Sequence, residues 1–156
     1  MSHPLHKFNV RVYGLWLRDQ REVLVSDEIV WGRKITKFPG GGLVFGEGPA
    51  DAVQREWREE LDVSINILRQ FYFTDFCVPS FMQDGSQVLS LYFEVEPTEP
   101  PPVTFARKPF DFAEEQEGAE SFRFIPLEQI QPDQFTFPID QHVARMLRTK
   151  AWYPYV

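Results

Sequence analysis

Three consecutive glycines, Gly40, Gly41 and Gly42, follow Pro39 and stand just ahead of the clearest helical segment of the chain, and this juxtaposition constrains the fold more than any other feature. Glycine adopts positive φ without steric penalty and lets another strand or a ligand come close to the backbone. Gly48-Pro49 then offers a permissive cap with proline at the first helical position. Over residues 50 to 61 the apolar residues Ala50, Val53, Trp57 and Leu61 recur at helical spacing and form one buried stripe. The pattern predicts a strand, a glycine loop and a helix that packs on a sheet.

Glu56, Glu59 and Glu60 fall beside that stripe at i, i+3 and i+4, a spacing that converges three carboxylates on one place. Like charges so placed repel by a few tenths of a kcal/mol when exposed, and by more when partly desolvated against a core. A divalent cation converts that repulsion into coordination, and hard oxygen donors of this kind suit Mg²⁺ or Mn²⁺. An isolated Glu-rich helix is more often a solvated face with pairs such as Arg55 to Glu59. Here the glycine loop and Glu47 add backbone carbonyls and a fourth carboxylate at the mouth of the same site.

The remaining chain supplies strands around this unit. Residues 7 to 17 and 22 to 26, joined by Arg18-Asp19-Gln20, read as a hairpin; residues 29 to 38, 63 to 76, 88 to 96 and 121 to 126 read as further strands. Residues 97 to 120, broken by Pro97, Pro100, Pro101, Pro102 and Pro109, read as a long loop whose acidic end is solvated. Residues 138 to 150 carry Ile139, Val143, Met146 and Leu147 on one side, as expected of a final amphipathic helix. Strands interspersed with two helices predict a mixed α+β fold in one domain spanning residues 1 to 156.

Residues 41 to 63, GGLVFGEGPADAVQREWREELDV, resemble the Nudix box: glycine, five residues, glutamate, seven residues, Arg-Glu, an aliphatic residue, one residue, Glu-Glu, one residue, glycine, aliphatic. Gly41, Glu47, Arg55, Glu56, Glu59, Glu60 and Val63 match in register, while Trp57 replaces the small aliphatic and Asp62 the glycine. Trp57 lies on the buried stripe and is expected to alter helix packing; Asp62 follows the helix end, where a left-handed conformation suits glycine and is tolerated by Asp. The resemblance implies a Nudix-like α/β/α sandwich, a mixed sheet with a catalytic helix and a C-terminal helix.

In function it implies a divalent-metal-dependent hydrolase, a pyrophosphatase-type enzyme that cleaves the diphosphate linkage of a nucleoside diphosphate joined to another moiety. Nucleotide sugars, ADP-ribose and similar small nucleotide-like molecules all fit the box. Glu56, Glu59 and Glu60 would bind Mg²⁺ (or Mn²⁺), with Glu47 and the carbonyls of Gly40 or Gly41 completing the shell. Glu56 and Glu59 would thereby carry catalysis, Arg55 would be structural, and Glu120, just before the strand FRFIP, is the outside candidate for general base, with Glu117 second. Arg33 and Lys37 are candidate contacts to substrate phosphates. The alternative is a catalytically weak Nudix-fold module that senses a ligand or regulates a partner. Homodimers are common in the resembled family.

Composition narrows the partners. The formal charge of −7 argues against a broad surface for long nucleic acid, although a bound cation can reverse the sign of an acidic site. Cys77 is the single cysteine, which excludes an internal disulfide framework and leads to the expectation of a buried, inert thiol in a reducing cytoplasm. No apolar run is long enough for a membrane span, so no membrane partner is expected.

Overall fold

The computed structural model describes residues 4–150. Strand β1 (Lys7–Leu15) alternates between two faces: Val12 joins the core beneath one helix, Tyr13 and Leu15 the core beneath the other. At Trp16 the chain changes sheet, and β2 (Leu17–Arg18) pairs with β3 (Glu22–Val30). The hairpin expected over residues 7 to 26 keeps its turn at Asp19-Gln20 but has only β2 as its first arm. β1 lies instead parallel to β7 (Ser86–Pro97), from Lys7 opposite Ser86 to Leu15 opposite Glu94. A parallel pairing across so much chain leaves no local signature.

Residues 29 to 38 are likewise two elements rather than one strand. Trp31 and Gly32, with φ of 53° and 69°, turn β3 directly into β4 (Arg33–Lys37), because two positive φ values match the twist of a tight hairpin. One sheet has the order β5-β1-β7-β6, with β5 (Gly40–Gly42) and β6 (Ile65–Phe73) at its edges. The other has the order β2-β3-β4, with β8 (Glu120–Pro126) paired to β3 from Glu28 to Glu22.

Helix α1 (Pro49–Leu61) buries Ala52, Val53, Trp57 and Leu61 against Val12, Leu24, Val95 and Phe122. Ala50, assigned to the stripe from spacing, is exposed, and Ala52 takes the inward place. Helix α2 (Pro138–Thr149) buries Ile139, Val143, Ala144 and Leu147 in the opposite core with Leu15, Val23, Val25 and Tyr92. Neighbouring residues of the same strands feed the two cores, so the sheets lie between the helices. The architecture is a mixed α+β sandwich, and no helix of the described residues is long and apolar enough to cross a membrane.

The Trp57 indole is fully buried because Gly14 leaves it room: a Cβ on Gly14 would sit 2.3 Å from its Nε1 and 3.0 Å from a Val95 methyl. Gly14→Ala is therefore expected to destabilise the protein by about 1–3 kcal/mol through overpacking, read as a lower urea midpoint, with Trp57→Leu restoring much of it. An unchanged midpoint would show that the indole has slack. Asp62 caps α1 in the left-handed region, φ 51° and ψ 43°, and its N–H donates to the Arg58 carbonyl at 3.0 Å.

Residues between β7 and β8 form the expected long loop with an exposed acidic end, two of whose acids make contacts. Glu117 accepts the Trp31 and Gly32 N–H groups at 2.7 and 2.8 Å, and Glu115 pairs with Lys34 at 3.0 Å. Cys77 is exposed, contrary to the buried thiol expected, since the segment after β6 turns out over the surface.

Candidate active site

Arg55 ties the glycine strand, the following loop and α1 into one unit. Its guanidinium donates to both Glu47 oxygens at 2.7 and 3.0 Å, to the Gly42 carbonyl at 2.9 Å, to Glu56 at 3.0 Å and to Glu59 at 3.3 Å. This hydrogen bonding holds the Glu47 carboxyl below the usual carboxylate range. Gly41 has no room for a side chain, since a Cβ there would lie 2.5 Å from a Glu56 oxygen. Close approach of backbone to carboxylate is thus what the glycine at 41 provides. Glu59 differs from its neighbours: its side chain is 58% exposed and rests on Arg55.

Glu60 turns inward. Its Oε2 is buried and has no hydrogen-bond partner. Burial pushes its carboxyl up to about 8; Lys37 opposes this, while Glu120, Glu28 and Glu56 add to it. Glu120, at the exposed start of β8, is pushed up to about 7 by desolvation and by Glu28, which lies directly opposite it in the β3–β8 register. Lys37 is buried, with its ammonium 2.9 Å from Glu28 and 3.1 Å from the Gly40 carbonyl. Burial works to lower its pKa, but Glu60 and Glu28 outweigh burial and hold it raised.

The acids that sense one another are therefore Glu28, Glu56, Glu60 and Glu120, with Lys37 close to Glu28, Glu60 and Glu120, while Arg55 pairs with Glu47, Glu56 and Glu59. Among the described residues no three acidic, histidine or cysteine side chains are drawn together as a preformed cation cage. Glu28 escaped the sequence reading; its one signal was a second acid, after Asp27, in a strand whose other inward positions are mostly apolar, and it faces the same way as Ser26 and Val30. Glu117 serves the Trp31-Gly32 turn, and His142 packs against Tyr72 and Phe76.

Raised carboxyl pKa values couple this site to stability. A group whose folded pKa exceeds its unfolded one binds more protons in the fold, so stability falls as pH rises through that interval. For Glu60 the interval runs from 4.5 to about 8, and for Glu120 from 4.5 to about 7. The metal-free protein is expected to melt several degrees lower at pH 8.5 than at pH 5.5, and added Mg²⁺ to shrink the difference. A melting temperature that climbs with pH over this range would contradict the assignment.

A cavity of about 350 Å³ opens beside the cluster and is lined by Glu28, Lys37, Ile35, Val78, Phe81 and Tyr92, among others. Arg33 lines it too, its guanidinium 4.6 Å above the Phe81 ring, which also stacks on Trp31. On the other side of the acids a groove carries Arg107 and Lys108 from the long loop together with Glu60 and Glu120.

The NUDIX domain profile matches residues 7–146. No curated protein matches the sequence. Among solved structures, a NUDIX hydrolase from Nitrosomonas europaea is 19% identical, with 94% of this chain and 91% of that one covered and a TM-score of 0.66. The ORF135 protein of E. coli is 14% identical, with 93% and 91% covered and a TM-score of 0.69. A MutT NUDIX hydrolase from Burkholderia pseudomallei is 16% identical, with 90% and 98% covered and a TM-score of 0.67. The fold is that of these structures, and the chain belongs to the Nudix family. It is a hydrolase of that family, whose members cleave nucleoside diphosphate derivatives.

Proposed function

We propose that the protein hydrolyses the diphosphate linkage of a small nucleotide-like substrate in the cytoplasm, with Mg²⁺ or Mn²⁺ as cofactor. The observation that carries this reading is the buried, partnerless Oε2 of Glu60 among Glu28, Glu56 and Glu120. An acid in that position is unfavourable with only Lys37 to offset it, and carboxylate oxygens of this kind suit Mg²⁺.

Glu56, Glu59 and Glu60 would hold the cation, with Glu47 and the carbonyls of Gly40 or Gly41 as further oxygens. Bound there, a divalent cation neutralises the diphosphate and lowers the pKa of a water. Arg55 keeps Glu56 and Glu47 in register through its fork of hydrogen bonds. Glu120 accepts the proton of the attacking water, since a carboxyl near pH 7 has a basicity matched to that task. The water oxygen bonds to one phosphorus, the bridging P–O bond breaks, and two phosphate-bearing products leave. Arg33 and Lys37, which both line the cavity, would supply positive charge to the substrate phosphates, Lys37 from its pairing with Glu28.

A panel of nucleotide sugars, ADP-ribose and other nucleoside diphosphate derivatives, assayed with Mg²⁺, tests this. At least one member should be cleaved to two phosphate-containing products, and excess chelator should stop the reaction. Undiminished turnover in chelator would sink the metal-dependent mechanism. A second reading, a ligand-sensing module with little turnover, draws on the pairing of Lys37 and Arg55 with the acids. The panel separates the two, because a sensor binds a member of it without cleaving any.

A further inference from the structure

The acid cluster opens on two sides. The cavity lined by Glu28 and Lys37 lies on one, and the groove lined by Glu60 and Glu120 on the other, with Glu28 directly opposite Glu120 in the β3–β8 register. One wall of the groove comes from the long loop and presents Arg107 and Lys108, both exposed. In a chain of net charge −7, uncommitted positive side chains are scarce. Lys34, Lys37, Arg55 and Arg123 each have an acid within 2.7 to 3.0 Å. Among the described residues Arg107 and Lys108 have no such partner.

Their backbone is nevertheless fixed. Ala106 bridges to Arg123 in β8, and its N–H donates to the Phe122 carbonyl at 2.7 Å. On the far side, the Phe110 N–H donates to the buried Asp27 carboxylate at 3.1 Å. Residues 107 to 109 are therefore anchored at one end to the strand that carries Glu120 and at the other to the strand that carries Glu28, and Pro109 restricts the span further. A pair of charges on an anchored backbone binds with less ordering cost than one on a free loop.

Charge decides what the groove can take. Its acids are Glu60, Glu120 and Asp111, and Glu60 Oε2 is buried without a hydrogen-bond partner. With the divalent cation proposed at Glu60, four positive charges, two of them from Arg107 and Lys108, face those three acids. Thr104 and Ser121 add hydroxyl groups to the lining. A guanidinium beside an ammonium, with hydroxyls at hand, suits a phosphate group rather than an uncharged sugar.

We infer that Arg107 and Lys108 form a seat for a terminal phosphate on the part of the substrate that extends beyond the linkage held at the acids. Molecules ending in such a phosphate are thereby selected over those that stop at the linkage or end in an uncharged group. This deepens the hydrolase reading and rests on it only in placing the substrate's diphosphate at the acids.

Analogues bridged by a methylene between the first two phosphates, which cannot be hydrolysed there, test the seat by binding alone. The methylene-bridged forms of ADP and ATP, and of UDP and UTP, are titrated by calorimetry with Mg²⁺ present into the wild type and into Arg107→Ala/Lys108→Ala. The wild type should bind the triphosphate of at least one pair about tenfold or more tightly than its diphosphate. In the double variant that preference should fall to about threefold or less, with the affinity for the diphosphate unchanged. Arg107→Lys, which keeps the charge, should retain part of it. Equal affinities within both wild-type pairs, no binding of any of the four, or a preference undiminished in the double variant would overturn the inference. Both side chains are exposed, so the fold should persist; were the double variant to unfold, Arg107→Ala and Lys108→Ala singly carry the same comparison. Failure of every substrate in the panel to be cleaved, with this preference intact, would remove the enzymatic reading and leave the phosphate seat standing.

Discussion

Glu60→Gln is expected to reduce turnover by about a thousandfold or more while raising the melting temperature of the metal-free protein at pH 8. The loss follows from removing one of the oxygens proposed to hold the cation, on which the activated water depends. The gain follows because the wild-type carboxylate is buried with an unpaired oxygen and crowded by Glu120, Glu28 and Glu56. Glutamine has nearly the same shape and no charge to desolvate. Opposite signs on activity and stability are characteristic of a strained functional group, and a purely structural acid would lose both. Steady-state assays and thermal unfolding of the two proteins at one pH provide the comparison; retained turnover, or a lower melting temperature, would count against the role given to Glu60.

Asp27→Ala should be the most destabilising single truncation, at about 3–5 kcal/mol. Asp27 is fully buried and accepts from Arg123 at 2.7 and 3.2 Å, from the Thr36 hydroxyl at 2.7 Å and from the Phe110 N–H at 3.1 Å. One carboxylate thus joins β3, β4 and β8 and pins the long loop. Its removal strands a buried guanidinium, which is why the double variant with Arg123→Met should recover part of the loss. Amide exchange at Phe110 should rise in the single variant. An unfolding free energy from chemical denaturation within about 1 kcal/mol of wild type would mean that the pair contributes little.

The helix that carries the acids was legible in the sequence because its signals are local: Gly48-Pro49 at the start, the spacing of Val53, Trp57 and Leu61, and Asp62 at the end. The departure at Trp57 was legible as a packing change, but its counterpart Gly14 was not, since the two are brought together only when β1 passes beneath α1. Partners distant in sequence escaped for the same reason. Glu28 meets Glu120 through the β3–β8 register, and Asp27 meets Arg123 there too. The parallel β1–β7 pairing is set by the two cores rather than by any turn. Spacing on a helix said that three glutamates share a side and offered the Arg55 to Glu59 pair; it could not say that Glu60 would turn in against Lys37 and Glu120.

Calorimetric titration of Mg²⁺ into the metal-free wild type and into Glu60→Gln at pH 7 tests the central claim most directly. The wild type should bind the cation with release of protons to the buffer, because the Glu60 carboxyl, raised to about 8, must ionise on coordination, and Glu60→Gln should bind about tenfold more weakly or worse. Equal affinity in the two proteins, or no uptake by the wild type at millimolar Mg²⁺, would contradict it.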